Sequence, residues 1–353
     1  MTRAVQSVLA ERSPKAGDRL IRVLTVDTAA PGAGQENEEH CDRIGRDLAD
    51  DNRVVAVIGP LAPICTRTLI PSLNQADVAI VSPIDDTPGL THVVPSAGGE
   101  CAGCSPGAFY PTGVRNFARV IASVDSEASA VAELLRSRNA TRVVIVEDGD
   151  PFATTWLANT FEAAADDGSI ELVERVRYDL NAKSYASVGR RSVRANADAV
   201  YLLAPTYNRG AEVLQGLRSG GFQGTVVGSL SITDESILKA GGAARGAMFA
   251  STELPLAGLN ASARAFVEAG SFGEYAVDAV YAAEAAHVLL DAISRSDGTR
   301  PGVRERLFQV SRNGLLGQLE IDANGDVVPQ RIAFFEAKGA GFSYVETVTP
   351  PPP

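Results

Sequence analysis

The sequence predicts an α/β protein built on doubly wound parallel sheets. Two observations carry this. Short apolar runs alternate with helical stretches along most of the chain, and such alternation implies parallel strands covered on both faces. The alternation is also interrupted once and resumes, giving two βα series in 353 residues, a length that suggests two domains or one large one.

The first series opens with the amphipathic helix AVQSVLAER (4–12) and the apolar run LIRVLTV (20–26), read as a buried strand. HCDRIGRDLADD (40–51) is a helix and VVAVIG (54–59) a strand. ICTRTLIPSLNQA (64–76) is helical with a proline near its middle, and VAIVS (78–82) is a strand. Residues 96–113 are polar, Gly-rich and aperiodic, which reads as a surface loop. The second series runs helix 126–139, strand RVVIVED, helix 152–168, strand 170–180, helix 184–197, strand AVYLLA, helix 208–222 and strand TVVGS. Residues 274–296 carry the longest helical signal, apolar at three- and four-residue intervals. GQLEID, RIAFFEA and FSYVE read as strands, the first two joined by ANGD, where Asn-Gly is a strong hairpin signal. The last residues, TVTPPPP, read as a disordered tail.

Charge narrows the function classes. Against 32 basic residues stand 43 acidic ones, a net charge of −11, which repels phosphate backbones and makes nucleic acid an unexpected partner. No apolar run approaches the roughly 18–20 residues of a membrane span, and no secretory leader pattern opens the chain. No nucleophile elbow, phosphate-binding loop or dinucleotide fingerprint is present. The histidines His40, His92 and His287 lack metal-ligand spacing. Neither cofactor nor metal is expected, and an α/β enzyme is the weakest reading.

In open α/β sheets ligands bind beyond the carboxyl ends of the strands. Here those ends carry PLAPICT and SPIDDT in the first series, and EDGDPF, APTYN and GSLS in the second. Glu147, Asp148 and Asp150 form an acidic turn, either a solvated loop capping the next helix or a ligand contact.

Five stretches in order carry a resemblance: VVAVIGP, IPSLNQADVAIVSP with TPGLT, FYPTGVRNFARV, YAVDAVYAAEAAHVLLDAI and GQLEIDANGD. Together they resemble the type I periplasmic-binding fold, within it the extracellular ligand-binding receptors related to branched-chain amino acid binding proteins, from about Ala4 to Tyr344. The resemblance implies two doubly wound lobes joined by three hinge crossovers near Arg119, Thr252 and Asp326. The lobes are then 1–119 with 253–325, and 120–252 with 326–345, leaving 346–353 as the tail. It also implies a first strand ahead of AVQSVLAER, upstream of where this chain begins.

The implied function is an extracytoplasmic solute-binding protein. It would trap a small polar ligand between its lobes and hand it to a membrane permease or a signalling partner. A sensing domain of a larger receptor, including a cytoplasmic one, is the alternative. Carried over position by position, the ligand contacts are Thr66, Ile84, Asp85, Asp86 and Thr87 in the first lobe. In the second they are Phe152, Thr206, Tyr207, Ser229 and Ser231. Two aspartates facing a ligand carboxylate are costly once desolvated, so an amine-bearing, cationic or polyhydroxylated ligand suits the site better than a standard α-amino acid.

Family members often have a disulfide where Cys41 and Cys65 stand, so these two form a bridge or remain buried thiols. Cys101 and Cys104, in CAGC, read as a local loop staple ahead of a redox pair or half a zinc site.

Overall fold

The computed structural model describes residues 1–32, 34–94, 105–150, 154–166, 168–230 and 235–351. In chain order the first elements are α1 (Thr2–Glu11), β1 (Lys15–Ala16), β2 (Arg19–Leu20), α2 (Glu38–Asp50), β3 (Ala56–Ile58), α3 (Pro63–Gln75), β4 (Ala79–Ser82) and β5 (Phe117–Arg119). Next come α4 (Asp125–Ser137), β6 (Arg142–Glu147), α5 (Thr155–Ala165), β7 (Glu171–Arg177), α6 (Ala186–Arg194), β8 (Ala199–Leu203), α7 (Gly210–Ser219), β9 (Thr225–Ser229) and β10 (Met248–Ser251). The chain continues through α8 (Ala261–Gly270), α9 (Ala276–Arg295), α10 (Arg300–Leu307), β11 (Ser311–Gly314), β12 (Gly317–Ile321), β13 (Val327–Val328), β14 (Ile332–Lys338) and β15 (Gly341–Val348).

These elements fall into two units. Among the described residues, the first holds 1–93, 105–123 and 255–330, and the second holds 94, 124–254 and 331–351. The chain therefore changes unit after Val93, is back in the first unit at 105, and changes again after Ser123, Leu254 and Gln330.

In the first unit β3, β4 and β5 form a parallel sheet in that order. Cys41, Ile44 and Leu48 of α2 pack with Cys65, Leu69, Ile70 and Leu73 of α3 over Ile80 and Phe117. Helix α9 packs against β3 and β4 and carries α1 and α10. The Cys41–Cys65 disulfide joins α2 to α3 across 24 residues, a closure that stabilises by about 3 kcal/mol.

In the second unit a seven-stranded sheet runs β15-β14-β10-β9-β8-β6-β7. Strands β6 to β10 are parallel, whereas β14 and β15 are antiparallel additions. Val143–Val146 and Ala199–Leu203 are buried throughout, as a parallel strand covered on both faces requires. Helices α6 and α7 meet almost backbone to backbone. A Cβ on Gly189 would stand 2.2 Å from the Leu217 carbonyl oxygen, and one on Gly216 would stand 2.4 Å from Tyr185 Cβ. Backbone atoms cannot swing aside, so Gly189→Ala is expected to cost about 2–3 kcal/mol by overpacking. Urea unfolding monitored at Trp156, in the same unit, checks this.

Several sequence-based expectations are corrected. LIRVLTV is not a buried strand. Only its first residue joins the β1–β2 bridge, and Leu20, Val23, Leu24 and Val26 are exposed. Residues 21–28 have no ladder partner among the described residues, and a strand without one cannot bury its amides. Part of the expected surface loop is core, since Phe109 and Tyr110 are buried and the Tyr110 hydroxyl donates to the Leu90 carbonyl at 2.6 Å. ANGD is a turn, but it joins β12 to β13, while RIAFFEA enters the second unit's sheet beside β10. The C-terminal tail starts later than residue 346, because β15 continues to Val348. Among the described residues no helix is long and apolar enough to cross a membrane.

One polar cluster ties α1 to α9. Arg12 bonds Asp291 and reaches the His287 Nδ1 at 3.2 Å, while Arg312 pairs with Asp291 and with buried Glu284. Burial, and then the Arg12 charge, push His287 down to about 4, with Asp291 opposing. A base whose folded pKa lies below its unfolded value near 6.5 binds fewer protons when folded. Its contribution is therefore present above about pH 6.5 and is lost as pH falls toward the folded value. The expected loss between pH 7.5 and 5 is about 1–2 kcal/mol after discounting for partial exposure. Unfolding at both pH values, in the parent and in His287→Gln, checks it: the variant lacks this part of the pH slope.

Candidate functional site

In the first unit the strand ends are knitted together by one hydroxyl and one guanidinium. Ser82, the last residue of β4, donates through Oγ to the Pro60 carbonyl at 3.2 Å and accepts the Asp85 amide at 3.0 Å. Asp85 in turn accepts the Thr87 amide at 3.1 Å. Arg119, at the end of β5, is fully buried. It donates to the Thr87 carbonyl at 2.7 Å, to Thr91 Oγ1 at 2.6 Å and to the Asp326 carboxylate at 2.6 Å. His92 Nδ1 lies 3.3 Å from the other oxygen of Asp326. Burial by itself raises the Asp326 carboxyl, but the Arg119 charge and His92 outweigh it and hold the group well below the usual carboxylate range. The turn supplying Asp326 is docked on the strand, since the Arg119 amide donates to the Gly325 carbonyl at 2.9 Å. Gly325 has φ +98, and a Cβ there would stand 2.2 Å from the Phe117 carbonyl oxygen, so glycine is required twice over.

Against this frame the expected contacts divide. Thr66 is buried inside α3 and its hydroxyl is spent on the Ala62 carbonyl at 3.2 Å. Asp85 is also buried, with one oxygen lacking a partner among the described residues. Ile84, Asp86 and Thr87 are half-buried, and the Asp86 carbonyl accepts from Ser123 Oγ at 3.5 Å.

In the second unit the acidic turn is a structural knot. Glu147 is buried against Arg175 at 2.6 Å and accepts from Thr155 Oγ1 at 3.0 Å. Asp148 accepts from Thr154 Oγ1 and Asn208 Nδ2, both at 2.6 Å. The Tyr178 hydroxyl donates to the Asn208 carbonyl at 2.8 Å, so β6, β7 and the loop after β8 are locked together. Thr206 is half-buried, and Tyr207 is 71% exposed beside this knot. Partial desolvation, then the charges of Asp150 and Asp148, raise the Tyr207 phenol. Ser229 is buried and donates to Glu127 in the first turn of α4. Close by, burial and then the Glu127 charge push the Tyr201 phenol well above its ordinary value. Phe152, Ser231, Cys101 and Cys104 lie outside the described residues.

Sequence reasoning missed the roles of Arg119, Asp326, Glu127 and Asn208. Arg119 had one available signal, a charged residue inside the apolar strand FARV. Among the described residues no group of three or more His, Cys, Asp and Glu could hold a metal.

A family model described as periplasmic binding protein matches residues 30–341. The chain belongs to the periplasmic binding protein family. The family's fold is recovered in solved structures. An ABC transporter substrate-binding protein from Desulfitobacterium hafniense, in complex with Leu, superposes at TM-score 0.74 with 22% identity, over 98% of this chain and 95% of that one. A leucine binding protein from Thermotoga maritima gives 0.69 and 21%, over 99% and 93%. A solute binding protein from R. palustris, in complex with benzoate, gives 0.64 and 17%, over 99% and 91%. At these identities the likeness shows the fold alone. No curated protein matches this chain.

Proposed function

We propose that this periplasmic binding protein works outside the cytoplasm as the receptor of an ABC-type transporter, holding a small polar solute at the loops beyond its strand ends. The observation that carries the reading is the family match over residues 30–341, joined to polar strand-end loops in both units. Capture and release are its task, and no covalent step is assigned to any residue.

The solute differs from those of the structural neighbours. Leucine and benzoate, named for those proteins, both carry a carboxylate. Here Asp86 stands half-buried at the first unit's strand ends and Tyr207 stands exposed beside Asp148 in the second. An ammonium or hydroxyl group meets acceptors at these acids, and a carboxylate does not. The proposed contacts are Ile84, Asp86 and Thr87 in one unit, and Phe152, Thr206, Tyr207 and Ser231 in the other. Asp85, Thr66 and Ser229 support the loops from below.

A thermal-shift screen with diamines, polyols, leucine and benzoate tests this. A true ligand at 100 times its dissociation constant stabilises the fold by about 2.7 kcal/mol. Asp86→Ala and Tyr207→Ala are expected to weaken binding about tenfold each. Tight binding of leucine or benzoate, unmoved by either variant, defeats the assignment of solute class and contacts.

A further inference from the structure

We propose that the second unit carries a separate binding site for a small oxyanion of the phosphate or phosphomonoester class, at the end of its sheet opposite the solute loops. A depression of about 570 Å³ lies there, lined by Gln215, Arg218, Ser219, Gln223, Gly242 and Arg245, among others. Arg218 and Ser219 end α7, Gln223 stands just before β9, and Gly242 and Arg245 precede β10. The lining is thus gathered at the starts of β9 and β10, whereas Thr206, Tyr207 and Ser229 stand at or beyond the ends of β8 and β9.

The chemistry of the lining points one way. Two arginines, Gln215, Ser219 and Gln223 line the depression. Gln215 and Ser219 already donate to the Lys239 and Gly216 carbonyls, and among the described residues no carboxylate lines it, in a chain of net charge −11. Arg218 is held in place: Nε donates to the Ala243 carbonyl at 3.4 Å, and Nη1 donates to those of Phe222 and Gly224 at 3.1 and 2.9 Å. Its Nη2 bonds no described residue, and burial lowers its affinity for the proton. A partly desolvated guanidinium without a counter-ion gains from an anion.

Arg218 alone is explained by its position, since a cation at a helix C-terminus offsets the dipole there. Arg245 has no such explanation. It lies off that helix, is exposed, and pairs with no described residue. The last carbonyls of α7 oppose an anion, but Gly216, Leu217 and Arg218 already accept from Gly220, Phe222 and Gly221. A Cβ on Gly242 would meet no atom within 4 Å, so neither packing nor conformation asks for glycine; its effect is to leave the rim open. The overall negative charge repels extended polyanions, which favours a small, compact ligand.

Isothermal titration calorimetry of the full chain with inorganic phosphate and with glycerol phosphate, against sodium chloride at matched ionic strength, decides it. Saturable binding at one site is expected, with chloride giving no such heat. Arg245→Ala touches no fold contact and is expected to weaken binding at least about tenfold. Gln223→Glu, which sets a carboxylate in the lining, is expected to abolish it. No saturable heat for either phosphate, or both variants titrating like the parent, overturns the proposal. Neither result bears on solute binding, because the solute loops are untouched.

Discussion

Replacing Asp326 by alanine is expected to destabilise the first unit by about 3–5 kcal/mol, the usual cost of removing one partner from a buried ion pair. Arg119 is fully buried and Asp326 nearly so. Without Asp326 the guanidinium keeps the Thr87 carbonyl and Thr91 hydroxyl, but both are neutral. The midpoint of thermal unfolding should fall on the order of 10 °C. The double variant Arg119→Met with Asp326→Leu is expected to recover most of this, because apolar residues of similar volume often replace a buried pair at little cost. The carboxyl titrates below its ordinary value, so the contribution is complete above about pH 4 and fades only as pH falls further. If the single variant unfolds at the parental midpoint, or the double variant is worse than the single, the pair does not hold the loops as described.

Periodicity located strands with continuous apolar runs, such as Val143–Val146, because burial on both faces leaves no polar position to confuse. It failed at 20–26, whose composition is that of a strand, because composition cannot say whether a neighbouring strand exists to pair with. It placed RIAFFEA in the hairpin that follows GQLEID, because a turn signal acts locally while Phe334 and Phe335 pair with Ala250 and Phe249 of a strand about 85 residues earlier.

The candidate site divides on the same line. Loops beyond strand ends were legible from topology alone, and Asp86, Thr87, Thr206 and Tyr207 stand in them. Which side chains point outward was not legible. Thr66 and Ser229 have hydroxyls that a ligand could use, yet one bonds its own helix and the other bonds Glu127. Glu127 itself lies 102 residues from Ser229, and nothing in SEASAVAELL sets that glutamate apart from a solvated helix start. Contacts of this kind become visible only when the chain has been folded.

Arg300→Ala is expected to produce the second large loss, about 3 kcal/mol, through a different mechanism. Arg300 opens α10 and spends its whole guanidinium on backbone carbonyls. Nε donates to Val54 at 2.8 Å, Nη1 to Ala49 at 2.9 Å and Ala76 at 3.4 Å, and Nη2 to Asp51 at 2.6 Å. Ala49 lies in the last turn of α2, and Asp51 and Ala76 directly follow α2 and α3, so one cation caps two helix C-termini whose dipoles favour it. Charged hydrogen bonds contribute about 1.5–3 kcal/mol each when removal strands a partner, but half-exposed carbonyls recover water, which brings the total down. Lysine keeps the charge without the planar fork, so Arg300→Lys should lose about half as much. The Cys41–Cys65 disulfide fastens the same two helices elsewhere along their length. Once it is removed by Cys41→Ala with Cys65→Ala, Arg300 and the apolar contacts of Leu48 and Leu73 are what still hold α2 against α3 at their C-terminal ends. The loss from Arg300→Ala should then exceed its value in the bridged protein, and urea unfolding of the four proteins in this cycle measures the excess. Strictly additive losses would mean that the two fastenings act on helices already held by the apolar contacts of Leu48, Leu69 and Leu73, and that the guanidinium is a local cap only.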